Sequence, residues 1–248
     1  MYENKKLKSL ILKSSYIFVI VLIIAVVILL ILKYNVEGEK NMPFKLSDLI
    51  LISSAEGFQD EEDSEYKWNV DIYQTNDIYL NIEKNKNFKE NEAIKSIIIE
   101  NLKVEKEPQS GKIEFYRPSG DEKNLFEYKD EYRINSKIEF VGSKEADIKN
   151  LKISNQGNTI MIRAVNKLDK KYASNNDSIE HSGRLLKETG ITLEEIEAEI
   201  SFDLIINLES DVSFKANIKQ NIPIGNIANE GTISKEITNL KNIVFKRQ

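Results

Sequence analysis

The sequence predicts a mainly β protein: an antiparallel β-sandwich of about ten strands, preceded by one N-terminal transmembrane helix. Two observations carry this prediction. An uncharged apolar run extends from Tyr16 to Leu32, and apolar residues alternate with polar residues with a period of two through most of the chain after Phe44. A sheet with one apolar face must bury that face against a second layer, which favours a sandwich, with an immunoglobulin-like topology as one version.

The apolar run from Tyr16 to Leu32 predicts a membrane anchor. A helix rises about 1.5 Å per residue, so the run spans about 25 Å, close to the thickness of the bilayer's hydrocarbon core. A cleaved signal peptide is the alternative, but its apolar region is shorter and ends in a small-residue cleavage site, which this sequence lacks. The predicted divisions are a basic tail (1–15), a transmembrane helix (16–33), a linker (34–43) and a β-rich domain (44–248).

Lysine residues on the two sides of the anchor predict its orientation. Four lie before the run (Lys5, Lys6, Lys8 and Lys13), whereas the far flank mixes two lysines with two glutamates. The side richer in lysine stays in the cytoplasm. We therefore expect a single-pass membrane protein with a cytoplasmic N-terminus and an extracytoplasmic C-terminal domain.

The composition of the chain limits its partners. The first 33 residues hold five of the 35 basic residues and one of the 40 acidic residues, so the remainder has 30 basic and 39 acidic residues, a net charge of −9. This acidic balance argues against nucleic acid as a partner. The chain has no cysteine, which excludes disulfides and thiolate metal sites. Heavy use of Ile, Lys, Asn and Glu is typical of AT-rich bacterial genomes.

The alternation predicts four strand pairs. The longest is a ribbon of Ile196–Leu208 with Val212–Ile218, since every second residue of each segment is apolar. Polar or glycine-containing segments predict three further hairpins: Tyr66–Ile82 around a turn at 75–77, 98–105 with 112–116, and 149–154 with 159–166. Residues 169–183 are polar and without period, which predicts an exposed loop.

Short helices are expected near Arg184–Lys187 and at Leu193–Ile196. Thr192 and Glu195 have the spacing of a capping box. A weak internal similarity relates Ile99–Val104 to Ile148–Ile153. It indicates either a duplicated unit or coincidence in a chain rich in Ile, Asn, Leu and Lys.

Few residues carry a candidate chemistry. His181 is the only histidine, and its polar surroundings predict a solvated side chain rather than a catalytic base. Asp60, Glu61, Glu62, Asp63 and Glu65 form the densest acidic cluster. It does not match an EF-hand loop, so a solvated loop is favoured over a calcium site. We predict no catalytic residue, no cofactor and no metal site.

Two aromatic residues near the acidic cluster, Trp68 and Tyr73, are candidates for a glycan-binding surface. Trp68 shares its strand face with Val70 and Ile72, which predicts a core position. Tyr73 lies on the opposite face and is the better surface candidate. A glycan-binding site would require Tyr73, the acidic residues 60–65 and the segment 169–183 to lie together.

The sequence therefore predicts a membrane-anchored, non-enzymatic binding or scaffolding module at the bacterial cell envelope. The membrane through Tyr16–Leu32 and other envelope proteins are the expected partners. A cell-wall glycan-binding protein or glycan-directed hydrolase is the alternative, although no catalytic motif supports an enzyme.

Overall fold

The computed structural model describes residues 13–31, 42–60, 65–88, 91–121, 124–180 and 182–248. Helix α1 (Lys13–Ile31) is long and apolar enough to cross a membrane. None of its residues is buried against the rest of the chain. Its apolar side chains therefore contribute nothing to the core of the β domain.

Two sheets form the β domain, as the period-two pattern predicts. Sheet A has the strand order β10-β1-β2-β7-β4, and sheet B has the order β11-β9-β8-β3-β5-β6. All strand pairs are antiparallel except β5 with β6. The strands are β1 (Phe44–Gln59), β2 (Trp68–Lys84), β3 (Ile94–Lys106), β4 (Lys112–Tyr116), β5 (Lys137–Gly142), β6 (Leu151–Ile153), β7 (Thr159–Ser174), β8 (Ala198–Leu208), β9 (Ser213–Ile222), β10 (Ile233–Ile237) and β11 (Lys246–Arg247).

The long ribbon is confirmed, whereas the first predicted hairpin is wrong. Strands β8 and β9 pair over ten residues. Residues Trp68–Lys84, however, form one continuous strand rather than two strands joined by a turn at 75–77. The inward-facing positions of β2 include Gln74 and Asn76, which are fully buried. The polar residue Asn76 belongs to the predicted turn, but both side chains continue the inward-facing alternation of the strand.

The other two predicted hairpins are also wrong. Strand β3 lies in sheet B, while β4 lies in sheet A and pairs with β7. In the same way, β6 pairs with β5 in sheet B and β7 belongs to sheet A. In both cases the connecting turn carries the chain from one layer to the other. Alternation alone does not distinguish such a crossing from a hairpin.

The two similar segments do not occupy equivalent positions. Ile99 is fully buried in β3, which lies inside sheet B between β8 and β5. Ile148 is 96% exposed in a turn before the short edge strand β6. The structure thus gives no repeated unit at these segments.

Short helices replace sheet B beneath one end of sheet A. They are α2 (Arg184–Glu188), α3 (Leu193–Ile196) and α4 (Ile227–Glu230). The first two are close to the predicted helices, and Thr192 and Glu195 form the predicted capping box. The predicted loop at 169–183 is wrong for its first part, because β7 continues to Ser174.

Two apolar cores result from this arrangement. The larger core lies between the two sheets and includes Phe44, Leu80 and Phe202, all fully buried. The smaller core lies between sheet A and the short helices, and includes Ile72 and Leu186. We call the part of sheet A above the larger core the sandwich half. The part formed by residues 54–59, 68–74 and 167–174 is the helix-backed half.

A buried polar band on the inner face of sheet A separates the two cores. It consists of four fully buried side chains from three adjacent strands: Ser53, Gln74, Asn76 and Asn166. Asn76 Oδ1 accepts hydrogen bonds from Ser53 Oγ (2.7 Å) and Gln74 Nε2 (2.9 Å). The band also binds crossing loops, since Ile224 N–H donates to Ser53 Oγ and Asn166 Nδ2 donates to Ser110 C=O. Two of the four side chains thus bind backbone groups of crossing loops, and Asn76 links Ser53 to Gln74 within the sheet.

Candidate functional site

The outer face of sheet A carries a cluster of aromatic rings, which we call the aromatic face. It consists of Phe58, Tyr73, Tyr116 and Tyr128. The ring of Tyr128 lies 5.4 Å from that of Phe58, 5.2 Å from that of Tyr73 and 5.3 Å from that of Tyr116. Phe58 and Tyr73 are themselves 4.8 Å apart. These centroid separations fall within the range of favourable aromatic pairs.

Three of these rings come from strands, and the central one does not. Phe58, Tyr73 and Tyr116 belong to β1, β2 and β4. Tyr128 belongs to the segment between β4 and β5, which folds back over the outer face of the sheet. A backbone hydrogen bond from Arg117 N–H to Tyr132 C=O (2.9 Å) helps to close this segment on itself. The aromatic face is therefore assembled by tertiary contacts between distant parts of the chain.

A mostly buried arginine attaches the covering segment to the sheet. The guanidinium of Arg163 in β7 donates to both carboxylate oxygens of Asp77, to Glu56 (2.9 Å) and to the hydroxyl of Tyr128 (2.8 Å). Phe126 lies over the guanidinium, with 4.4 Å between the guanidinium carbon and the ring centroid. Because Arg163 is only 14% exposed, these contacts are protected from water.

The pKa shifts in this network follow from burial and from these partners. Burial raises the pKa of the Tyr128 phenol, and Glu56 adds to the increase. Burial and the hydrogen bond to Glu114 raise the pKa of Tyr116 in the same way. Burial would lower the pKa of Arg163, but the hydrogen bond and charge of Asp77 outweigh it and raise that pKa. At neutral pH both phenols are therefore neutral and the guanidinium is charged.

The exposed side of the aromatic face lies in the helix-backed half. Phe58 is 40% exposed, and Tyr73 is partly exposed beside it. The ammonium group of Lys167 lies 5.4 Å from the centroid of the Tyr73 ring. A cation next to aromatic rings at a sheet surface can contact aromatic, acidic or sugar groups of a partner.

The structure brings together the residues that the glycan-binding hypothesis requires, as far as they are described. Tyr73, Asp60 and the continuation of β7 all lie at the same end of sheet A. Asp60 forms an ion pair with Lys171, and Lys171 also pairs with Asp71 at 3.6 Å. This is the grouping that the glycan-binding hypothesis requires.

Tyr73 lies where the sequence predicts, whereas Trp68 faces the core but is only half-buried. Trp68 is half-buried against the smaller core, and its indole N–H donates to Asn176 C=O (2.9 Å). Tyr73 faces outward. His181 and residues 61–64 of the acidic cluster lie outside the described residues. Among the residues that the structure describes, no group of three or more His, Cys, Asp or Glu side chains is arranged to hold a metal ion.

The carboxyl groups with clearly shifted pKa values are all shifted downward in the described part of the chain: Glu105, Glu114, Glu195 and Asp203. A glycan hydrolase of the common type needs a general acid whose pKa is raised. That the protein is not an enzyme stays a prediction from the sequence.

Sequence reasoning missed Tyr116, Tyr128 and Arg163 as parts of the site. Arg163 leaves a trace, since it interrupts the apolar segment 160–165. Tyr128 leaves none, because its segment has no period that would predict which strand it covers.

No family model, no curated protein and no solved structure matches the chain.

Proposed function

We propose that this chain is a membrane-anchored, non-enzymatic protein-binding module of the bacterial cell envelope, and that the aromatic face is its contact surface. The observation that carries the proposal is the pair of exposed Phe58 and partly exposed Tyr73. The partly buried network of Arg163, Asp77 and Tyr128 holds this pair in place. Rigid aromatic anchors next to a cation are typical of protein contact sites, where a few such side chains supply most of the binding energy.

The place of this surface in the fold supports the proposal. The chain enters the β domain at Phe44, after the segment that follows α1. Strand β1 then extends for 16 residues, about 50 Å at about 3.3 Å per residue, before it reaches Phe58 and Gln59. The aromatic face thus lies at the far end of the strand from the anchor, where a partner is least hindered by the membrane.

Site-specific photocrosslinking in living cells tests the proposal. A photoreactive phenylalanine analogue at Lys167, beside Tyr73, should give a discrete adduct with one membrane or envelope protein. The control position is Glu139, which is exposed on the outer face of sheet B. Adding Phe58→Ser to the Lys167 probe should reduce the adduct about tenfold, since an aromatic anchor that becomes buried against the partner contributes roughly 1–2 kcal/mol. Equal adducts at both positions, or an adduct unaffected by Phe58→Ser, would contradict the proposal.

Glycan binding is the second candidate, favoured by the grouping of Tyr73, Asp60 and Lys171 at one end of sheet A. Purified insoluble peptidoglycan should then sediment the full chain, and Phe58→Ser should abolish the sedimentation. If wild-type chain stays in the supernatant while the Lys167 adduct forms, the protein-binding proposal is supported over this one.

The absence of cysteine from the chain allows a clean test of the proposed membrane topology. Single-cysteine variants at Ser9 and at the exposed Lys152 would be treated in intact cells with a membrane-impermeant maleimide. The expected result is labelling at 152 and none at 9 until the cells are lysed. The reverse pattern would contradict an extracytoplasmic β domain.

A further inference from the structure

A cleft of about 810 Å³ lies on the side of the β domain where the C-terminal segment passes sheet B. One wall is the outer part of β9, with Asn217 and Lys219. The other is the segment that follows β10, with Leu240 and Asn242. This cleft is separate from the aromatic face, which lies on sheet A.

The cleft contains an unfilled edge of sheet B. Strand β11 pairs with β9 only at Lys215 and Phe214. Leu208 N–H donates to Val212 C=O and Gln248 N–H donates to Ser213 C=O, which sets the alternation of hydrogen bonds along β9. It follows that Asn217, Lys219 and Asn221 turn their backbone N–H and C=O groups away from β8. Within the described residues, these three have no backbone partner on that side.

The two sides of the vacant strand position differ in chemistry. Toward the core lie Ile237, Leu240 and Ile243, which are partly buried against the larger core. Toward solvent lie Lys219 and Lys246, on the same face as Lys215. Lys215 already pairs with Asp203 (2.9 Å) and Glu100 (3.0 Å), and Lys219 has only a 3.8 Å contact with Glu199. Among the described residues, the charged side chains that line the cleft are three lysines (Lys215, Lys219 and Lys246) and one carboxylate (Asp203), so its lining is positive although the domain as a whole is negative.

We propose that this cleft binds an extended acidic peptide segment of a partner protein, which adds a strand to the free edge of β9. Strand addition uses backbone hydrogen bonds for affinity and alternate side chains for specificity. Here apolar side chains of the peptide would face Ile237 and Leu240, and acidic side chains would face Lys219 and Lys246. About six residues match the open length from Asn217 to Ile222.

Three capped, fluorescein-labelled hexapeptides test the proposal by fluorescence anisotropy with the full chain in detergent micelles. One alternates valine with glutamate, one alternates valine with lysine, and one is the glutamate peptide with N-methyl groups on alternate, edge-facing amides. The glutamate peptide should bind at least tenfold more tightly than either of the others. Failure of the glutamate peptide to bind, or binding of the N-methylated peptide with equal affinity, would overturn the proposal.

Reversing the charge of the cleft lysines tests whether the peptide binds in the cleft. The double variant Lys219→Glu with Lys246→Glu should lose at least tenfold in affinity for the glutamate peptide and gain affinity for the lysine peptide. The matched control is Lys137→Glu with Lys152→Glu, at exposed positions toward the other edge of sheet B, and it should leave both affinities unchanged. If both double variants act alike, the charge effect is nonspecific and the proposal fails. Phe58→Ser should not alter peptide binding, so this test and the photocrosslinking test fail independently.

Discussion

The two halves of sheet A differ in what lies beneath them, although they share the strands β1, β2 and β7. In the sandwich half, long inward-facing apolar side chains meet those of sheet B. In the helix-backed half, the same strands rest on three helices of four or five residues each. Among the residues that the structure describes, the smaller core contains 11 buried residues, whereas the larger one contains 32. The sandwich half thus contributes most of the buried apolar area and most of the stability.

This difference separates the part of the fold that gives most stability from the proposed contact surface. The exposed part of the aromatic face lies over the half with the smaller core, and surfaces that bind partners commonly belong to less stable parts of a fold. The polar band of Ser53, Gln74, Asn76 and Asn166 marks the boundary. If the two halves unfold separately, a partner bound at the aromatic face would stabilise the helix-backed half without changing the stability of the sandwich half.

The largest expected effect compares one core residue from each half. Phe202→Ala should cost about 3–5 kcal/mol of unfolding free energy because it removes a fully buried ring from the larger core. Leu186→Ala should cost about 2–3 kcal/mol. Urea denaturation measures both values. Amide exchange should rise throughout the domain in Phe202→Ala, but mainly in residues 54–59 and 167–174 in Leu186→Ala. If Leu186→Ala raised amide exchange in sheet B as much as in residues 54–59 and 167–174, the two halves would unfold as one unit.

Asn76→Ala tests the boundary between the halves. It leaves Ser53 Oγ and Gln74 Nε2 without their shared acceptor in a fully buried site, so we expect a loss of about 1–3 kcal/mol. Asn221→Ala, at an exposed strand position, is the matched control and should change stability by less than about 0.5 kcal/mol. A neutral Asn76→Ala in urea denaturation would show that the band is not needed to join the cores.

Thr192→Ala tests the support of the helix-backed half. It removes the capping-box threonine of α3 and should cost about 1 kcal/mol, whereas Thr192→Ser should be nearly neutral because serine also caps. Thermal unfolding by circular dichroism measures both variants. Equal losses in the two variants would assign the effect to packing of the threonine methyl group and not to capping.

The smallest expected effect depends on pH. Burial would raise the pKa of Glu114, but hydrogen bonds from Tyr116 and Arg133 outweigh it, so the folded-state pKa lies below the ordinary value of 4.5. The stabilisation is therefore complete above pH 4.5 or so and is lost as pH falls through the folded-state pKa. Glu114→Gln should lower stability by about 0.2–1 kcal/mol at pH 7 and by much less at pH 3. A difference between wild type and variant that does not shrink at pH 3 would exclude this linkage.

The alternation predicts strands well where one face is uniformly apolar, as in β8 and β9. It fails where polar residues face inward. Asn76 is predicted to lie in a turn, but its side chain hydrogen-bonds to Ser53 and Gln74 at the boundary of the two cores. The pattern of each strand also does not state which sheet the next strand joins, which is why β3 with β4 and β6 with β7 look like hairpins. The same limit applies to the site, where Tyr73 is predictable as outward-facing but its contact with Tyr128 is not.

The sequence by itself determined the apolar helix, the β class, the capped helix α3 and the acidic, cysteine-free character of the domain, because these depend on residue type and on spacing along one segment. Tertiary structure alone decided the division into two cores, the polar band between them, the aromatic face and the open edge of β9. Each of these depends on which segments meet across space. That choice is made by the packing of whole layers, and it is not encoded in the period of any single strand.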